Sequence, residues 1–456
     1  GYLTVSVDTD FEETGNDRIN TTFKISYSGA KRTRYIGKIE IDGNFRTRDY
    51  VIREALSIEE GSQYNEFLLE RSLQKVRNLG FFSEVVSEER EGTFENQDDI
   101  VLSVAEASTG SVTLSIAYSS MDMFNGSIGF EQGNLFGRAI NLTADLRVSK
   151  FSSNFDFGFS KPNLFGTKAR GGIGFVFQDE KNSKNPNFKI GFDEYIVGFN
   201  AFMRFNIVEY LSQKIAYRFD YRKIDRLLEH NVDIFPDEGR TTSEISTSLS
   251  YDRRDVYFDP RSGYVMDLDI AMAGLGGSKN YLRTAGHFAY YYPLYSDKLI
   301  LKLETKLGYT TSLKRDSPLY PIDGFYMGGH NMRGFEYGGI GPRIVRNDGK
   351  FSNGLSGTYM YYLNSEVKFP IYLQKMFGLY GIFFINAGTT TGLERKNKND
   401  DFEIYDSGKL RAATGFSLLF KFGLIGISFD FSKILRKESY DRGEPFRFDI
   451  GAVAKF

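Results

Sequence analysis

From about residue 111 to the end of the chain, apolar and polar side chains alternate with a period of two. Ile140, Leu142, Ala144, Leu146 and Val148 interleave with Asn141, Thr143, Asp145 and Arg147, and Met266, Leu268, Ile270 and Met272 with Asp267 and Asp269. Leu299, Leu301, Leu303 and Leu307 alternate with Lys302, Glu304 and Lys306, and Phe446, Phe448 and Ile450 with Arg447 and Asp449. Period two sends successive side chains to opposite faces of a strand, so each segment predicts one apolar face and one charged face. A soluble sandwich alternates in the same way, and strand length and connections separate the two cases. Many segments run to about ten residues or more, against about five or six in soluble sheets and about nine to eleven for a tilted membrane-spanning strand.

The connections also alternate. Short ones fall near 133–138, 161–166, 206–209, 293–298, 370–375 and 421–424, and longer polar ones near 181–189, 225–239, 314–356, 391–407 and 436–443. Short turns at one rim and long loops at the other predict a membrane β-barrel of about sixteen antiparallel strands, from Ser111–Ser120 to Pro445–Phe456. The longest apolar candidate, Met376–Ile385, is too short and too rich in Gly to cross a bilayer as a helix.

Ahead of the barrel the pattern changes. Residues 1–28 read as two alternating strands with a Gly15-Asn16-Asp17 turn, expected to be the C-terminal remnant of a preceding module. Residues 33–108 predict a complete small α+β domain of β-α-α-β-β order. It contains a strand over Tyr35–Ile41, a short helix from about Thr47 to Leu56, a second helix capped by Asn65, and two closing strands. Leu68, Leu69, Ser72, Leu73, Val76 and Leu79 form one stripe of the second helix, and Gly80 ends it. The barrel takes residues 109–456. Entry of its first strand from the small domain puts that domain and the short turns on one side of the membrane.

Composition narrows the function classes. The 456 residues include no Cys, no Trp, 42 Phe, 29 Tyr and 47 Gly, with a formal charge of −2, which excludes a disulfide scaffold and a nucleic-acid binder by bulk charge. Gly at position 1, with no charged-then-apolar leader behind it, suggests a fragment of a longer precursor. Without Trp, the interfacial belts fall to Tyr and Phe at strand ends, among them Tyr292, Tyr295, Tyr361, Tyr362 and Phe369. His230, His287 and His330 lack metal-ligand spacing, no nucleophile triad is evident, and Gly274-Leu275-Gly276-Gly277 has no strand-to-helix context for a phosphate cradle. No catalysis, metal or cofactor is expected. The segment 314–356 is too long to be an ordinary connection, and glycines flank one Arg and one Phe in its centre, Gly328-Gly329-His330-Asn331-Met332-Arg333-Gly334-Phe335.

Several of these stretches together carry a resemblance. Tyr35-Ile36-Gly37-Lys38-Ile39-Glu40-Ile41-Asp42-Gly43-Asn44, Tyr64-Asn65 and Leu79-Gly80-Phe81-Phe82 resemble the last POTRA domain of the BamA family of outer-membrane protein assembly factors. In the barrel, Asp252–Asp255 with Asp259-Pro260-Arg261-Ser262-Gly263 resembles the family's turn before its ninth strand, and Met332-Arg333-Gly334-Phe335 its sixth-loop motif. The resemblance covers essentially the whole chain, with its motifs in the family's order. It implies a bacterial outer-membrane barrel with a periplasmic POTRA domain, which inserts unfolded outer-membrane protein clients with periplasmic chaperones and accessory lipoproteins, in contact with outer-membrane lipid and without nucleic acid.

It also implies that Arg333 folds back into the lumen. The family's usual acidic partner is replaced here by Asn386, so Asn386, Glu366 and Asp430 are the candidate wall partners. The familiar Trp and Ser-Pro of the next strand are missing around 416–422. Barrel closure joins the first and last strands without a hairpin, which makes Val112, Leu114, Ile116, Ile450, Gly451 and Phe456 the candidate lateral seam, with a kink expected at Gly451. The alternatives are a polypeptide-secretion translocator of the same superfamily or a porin-like transport pore.

Overall fold

The computed structural model describes residues 5–14, 18–27, 34–119, 123–181, 193–225, 239–295, 298–346, 351–374, 377–394, 402–422 and 425–455. The chain forms two compact units, one of residues 1–110 with 132–141 and one of residues 111–131 with 142–456.

In the first unit, β1 (Val5–Thr14) and β2 (Arg18–Tyr27) form an antiparallel hairpin in continuous register from Val5↔Tyr27 to Thr14↔Arg18. Next come β3 (Tyr35–Asp42), α1 (Asp49–Arg53), α2 (Glu66–Arg77), β4 (Phe82–Glu91) and β5 (Gln97–Glu106), with sheet order β3-β5-β4. Strand β3 runs parallel to β5, which requires the helical crossover, and β4 runs antiparallel to it. The Asn65 side chain accepts the Leu68 N–H at 3.3 Å, and the predicted stripe Leu69, Ser72, Leu73 and Val76 is the buried face of α2. Leu73 and Val76 pack with Val51, Ile52, Phe82, Val85, Leu102 and Val104, joined by Ala139 from the 132–141 segment of the same unit, and Leu69 packs with Ile36, Ile39, Ile58 and Ile100. Burial works against the charged form of Glu106, but the Thr47 and Arg46 N–H groups outweigh it and hold this carboxyl below its ordinary range.

The second unit is a closed barrel of sixteen strands, as the alternation predicts. In chain order they begin with β6 (Gly110–Ser119), β7 (Met123–Leu135), β8 (Ile140–Ser149), β9 (Ser152–Lys161), β10 (Arg170–Glu180) and β11 (Asp193–Val208). They continue with β12 (Leu211–Asp225), β13 (Arg240–Asp252), β14 (Gly263–Ala273), β15 (Tyr281–Tyr295) and β16 (Leu299–Ser312). Three short strands of the long loop come next, β17 (Gly334–Phe335), β18 (Arg343–Arg346) and β19 (Phe351–Gly354). The wall resumes with β20 (Tyr359–Gln374) and β21 (Phe377–Thr391), and after the loop strand β22 (Phe402–Tyr405) with β23 (Arg411–Phe422) and β24 (Ile425–Arg436). The two-residue β25 (Gly443–Glu444) precedes the last wall strand, β26 (Phe446–Lys455).

Strand parity decides what faces the lipid. On β20 and β21, Leu363, Phe383 and Ile385 are exposed outward, whereas Tyr362, Asn364, Phe384 and Asn386 are buried inward. Tyr292 and Tyr295 are exposed at strand ends, and Phe369 stacks on Phe383 at 5.6 Å. Tyr362 departs from the expected belt. It shares the inward parity of Asn364 and Glu366, is buried, and lies under the Lys306 ammonium at 5.6 Å. Tyr361 occupies the outward position, and its hydroxyl donates to the Gly408 carbonyl at 2.7 Å.

Gly43 sits at φ 87°, and a Cβ there would lie 2.0 Å from the Val104 carbonyl oxygen. Gly43→Ala should destabilise the small domain by more than the roughly 1–2 kcal/mol of the left-handed backbone alone. Urea unfolding of a segment spanning residues 34–110 checks this, and an unchanged midpoint would contradict it.

Candidate functional site

The segment between β16 and β20 is built into the interior of the barrel. At its start, the buried Asp323 carboxylate meets Arg240 at 2.6 Å, Lys279 at 2.9 Å and Arg222 at 3.6 Å, three cations from three wall strands or their ends. Burial alone would raise this carboxyl. Lys279, Arg240 and Arg222 outweigh it and hold Asp323 well below the ordinary carboxylate range. A polar cavity of about 510 Å³ remains between this part of the loop and the wall, bordered by Glu194, Arg218, Arg222, Lys279 and Arg283. Further along, Met327, Met332, Phe335 and Ile340 form an apolar cluster against Tyr362 and Ala413 of the wall. Gly334 has φ 95°, and a Cβ there would come within 2.9 Å of the Ala413 Cβ, so this approach of loop to wall requires glycine.

Arg333 sits between these apolar contacts and the wall. Its guanidinium forms an ion pair with Glu366, reaches Ser417 Oγ at 3.4 Å and lies over the Phe384 ring at 3.8 Å. Glu366 also accepts from Asn364 Nδ2 at 2.9 Å. The planar cation is thus stacked on one face and bonded at its edge, an arrangement that suits Arg and not Lys. Of the three candidate wall partners, Glu366 is the one bonded to the guanidinium. Asn386 is fully buried and serves the backbone instead. With its amide turned so that both ends are matched, it accepts from the Arg333 N–H at 3.1 Å and donates to the Ala413 carbonyl at 3.3 Å. Asp430 departs from the expectation and makes no hydrogen bond or ion pair with Arg333. It lies on β24 opposite Arg447 of β26, beyond Ser417 of β23, which intercepts the guanidinium first.

Two further features left no local pattern in the sequence. The tip strand β17 pairs with β25, Gly334 opposite Glu444 and Phe335 opposite Gly443, and Glu336 N–H donates to the Arg442 carbonyl at 3.2 Å. The loop tip is therefore hydrogen-bonded to the segment that leads directly into β26. The second feature is Arg411, fully buried at the head of β23. It donates to Asp441 through Nε at 2.9 Å and Nη2 at 3.2 Å, and to Thr389 Oγ1 at 2.6 Å and Tyr440 Oη at 3.1 Å. In sequence it is one Arg among small residues, Arg411-Ala412-Ala413, and its partner lies in a polar loop. Arg343, also fully buried, donates to the Gly338 carbonyl at 2.8 Å; burial and the nearby Arg442 push its guanidinium down to about 10.

The seam is closed. Strands β26 and β6 pair antiparallel from Asp449↔Ser119 to Lys455↔Thr113, which sets Ile450 opposite Tyr118, Gly451 opposite Ala117, Ile116 opposite Ala452 and Leu114 opposite Ala454. Val112 lies just beyond this ladder, and Phe456 lies outside the described residues. Gly451 does not kink the strand. It keeps both backbone hydrogen-bonding groups, and Ala452–Lys455 stay in register with β6 beyond it. Val112, Leu114 and Ile116 are exposed on the outer face, and Thr113, Ser115 and Ala117 take the opposite parity. Among the described residues no group of three His, Cys, Asp or Glu side chains could hold a metal ion. His287 lies between Asp267 at 3.0 Å and Glu304 at 3.1 Å.

Comparison with known proteins gives two family matches, the Omp85 superfamily domain over residues 134–453 and the surface antigen variable number repeat, or POTRA, over residues 34–107. The outer membrane protein assembly factor BamA of Neorickettsia risticii is 28% identical over 455 residues, covering 99% of this chain and 59% of that protein. BamA of Neisseria meningitidis serogroup B is 24% identical over 459 residues, covering 92% of this chain and 57% of that one. The chain thus spans less than three fifths of the length of either curated relative. In fold, it matches the crystal structure of BamA from Haemophilus ducreyi lacking POTRA domains 1-3 with a TM-score of 0.82 at 20% identity, over 99% of this chain and 90% of that one. CdiB from Escherichia coli matches with a TM-score of 0.58 at 12% identity, over 100% and 81%.

Removing one partner of a buried, hydrogen-bonded ion pair costs about 3–5 kcal/mol. Arg411→Ala should therefore lower the unfolding temperature of the barrel in detergent and expose the 436–443 loop to protease, and an unchanged melt would contradict the assignment. The depressed Asp323 carboxyl contributes stability that is fully present above the unfolded carboxylate range near about pH 4, and that is lost only as pH falls through its lower folded value. Limited proteolysis of residues 314–356 should accordingly be equally slow at pH 7 and pH 5. It should become fast at pH 7 in Asp323→Asn, and a loop in that variant as resistant as wild type would refute the clamp.

Proposed function

Because the chain belongs to the Omp85 superfamily, we propose that it assembles and inserts β-barrel proteins into the bacterial outer membrane, templating client strands at the seam between β6 and β26. The observation that carries this reading is the seam itself. Every other neighbouring pair in the wall is joined through consecutive chain, whereas β6 and β26 lie at opposite ends of the barrel sequence and meet without a hairpin. Within the described residues, β26 holds β6 over Asp449–Lys455 only, while the ladder of β20 with β21 runs from Tyr359 to Gln374. On the inner face β6 offers only the small Thr113, Ser115 and Ala117, and Gly451 opposite Ala117 has no side chain to pack on it.

An edge exposed in lipid costs several kcal/mol per unmatched backbone group, so an opened β6 is driven to pair with whatever strand is offered. Strand addition to an edge takes its affinity from main-chain hydrogen bonds, which suits many different clients. On this reading the clients are unfolded outer-membrane proteins, the small α+β domain faces the periplasm and guides delivery, and chaperones and accessory lipoproteins meet it there. The packed loop inside the barrel also favours handling at the wall over an open transport pore. The second reading is a polypeptide-secretion translocator of the same superfamily, which would share this barrel fold.

Two measurements test the proposal. Directly opposed antiparallel residues have Cα atoms about 4.5–5.5 Å apart, within the range of a disulfide, so Ile116→Cys with Ala452→Cys should crosslink under oxidation in a chain otherwise free of Cys. Oxidation should stop client insertion and reduction should restore it; full insertion with the seam locked would refute the lateral route. Depleting the protein should remove outer-membrane barrels as a class, whereas loss of a single secreted product would favour the translocator.

A further inference from the structure

The inner face of the last wall strand brings charges together without matching them. Phe446 of β26 is exposed outward and packs on Phe431 of β24 at 5.3 Å, so by strand parity Arg447 and Asp449 face the lumen. Arg447 is only 5% exposed, and its Nη2 forms an ion pair with Glu444. Its other two guanidinium nitrogens, Nε and Nη1, are closed to water and have no hydrogen-bond partner. Acceptors that would match them stand beside it. Asp430 of β24 lies directly opposite Arg447 in the ladder, and its carboxylate makes no hydrogen bond or ion pair among the described residues. Asp449, next along the same face of β26, leaves Oδ1 without a partner and likewise closed to water.

A buried guanidinium short of acceptors, beside carboxylates short of donors, is costly on both sides. The position of Glu444 explains why the arrangement persists. Its backbone pairs with Gly334 in the ladder of β17 with β25, so its bond to Arg447 ties the loop tip to β26. Asp449 stands opposite Ser119, at the rung where the seam ladder of β26 with β6 begins. Arg447 therefore has two sets of carboxylates within its strand neighbourhood, Glu444 on the loop side and Asp430 with Asp449 on the wall side, and it satisfies the first alone. Buried polar groups in native proteins are nearly always matched, and exceptions gather where strain is held for a change of state.

We propose that Arg447 is a positioning residue of the seam, a latch with two positions. Glu444 holds it while β26 is paired with β6, and it passes to Asp430 and Asp449 as β26 parts from β6. Resting on the insertion reading, the latch adds to it the group that biases the seam towards opening. In the closed barrel the unmatched atoms raise the energy of the state in which β6 is covered. On opening, the wall-side carboxylates take the free N–H groups, and the ion pair between β26 and the loop-tip segment is given up.

The test follows amide hydrogen exchange of residues 449–455 in the full chain in detergent micelles, with the ladder of β20 and β21 as internal reference, since exchange of paired amides reports opening. Asp430→Asn removes a carboxylate that makes no bond in the closed barrel. It should leave the melting temperature unchanged and slow exchange at least about fivefold, the scale on which one unmet buried donor shifts an equilibrium. Glu444→Gln removes the closed-state partner and should speed exchange by a similar factor, and the double variant should lose that acceleration, because the two carboxylates compete for one guanidinium. Exchange in Asp430→Asn as in wild type would overturn the latch. So would an acceleration by Glu444→Gln that persists undiminished in the double variant, since Glu444 would then be a brace and nothing more. Should Glu444→Gln fail to fold, Asp430→Asn decides alone. Insertion of a urea-unfolded barrel protein into lipid vesicles separates the two readings. If oxidised Ile116→Cys with Ala452→Cys stops insertion while Asp430→Asn inserts and exchanges like wild type, the latch falls and the insertion reading stands; insertion through the locked seam overturns both.

Discussion

Hydrocarbon offers no partner to a backbone N–H or C=O, and each group left unmatched there costs several kcal/mol. A chain that spans a bilayer with strands must therefore close its sheet, and sixteen strands do so here. Closure dictates the alternation, because one face of each strand meets lipid and the other a space too wide for wall side chains to fill. It also leaves one junction unlike the rest, where the first strand of the barrel meets the last.

A lumen that wide has to be hydrated or packed, and this chain packs part of it with its own longest loop. Apolar contact alone would leave that loop free to slide, whereas directional groups fix it. Asp323 gathers three cations on one side, Arg333 stacks on Phe384 and pairs with Glu366 on another, and Arg411 ties Asp441 down nearby. Charged groups buried in this way are costly to desolvate and costly to leave unpaired, so each tolerates few alternative positions. The glycines at the tip let the loop backbone come close enough to the wall for those bonds to form.

Much of this was legible in the sequence because a strand writes its environment into its own parity. The order of the sixteen strands, the capped second helix of the small domain, and the overlong loop with its single Arg could all be read from local pattern. Parity does not say which neighbouring aromatic turns inward: Tyr361 and Tyr362 carry the same local signal for the belt, yet Tyr361 holds the outward position and Tyr362 is buried inward. Nor does it say how far around the wall a side chain reaches, so Glu366 and Asp430 are equivalent by local pattern, although in the fold Ser417 of β23 stands between Arg333 and β24. The pairing of β17 with β25 and of Arg411 with Asp441 joins distant residues through loops of no regular period, which leaves nothing local to read. Gly451 misled for a related reason, since a missing side chain removes packing but not the backbone bonds that hold a ladder.

The pairing of Gly334–Phe335 with Gly443–Glu444 also bears on the order in which the molecule is made. Synthesis proceeds from the N-terminus, so the loop emerges with neither β25 nor the Ser417 region of the wall yet in existence. The loop tip cannot settle until nearly the whole chain is present, and the junction of β6 with β26 spans the entire barrel sequence. Contacts of such separation repay their loop-closure entropy late, which makes folding slow and leaves long-lived unpaired edges on the way. Until β26 is made, the free edge of β6 and the wall partners of the loop tip have no mate within the chain, so the last strand both closes the barrel and releases the loop to settle.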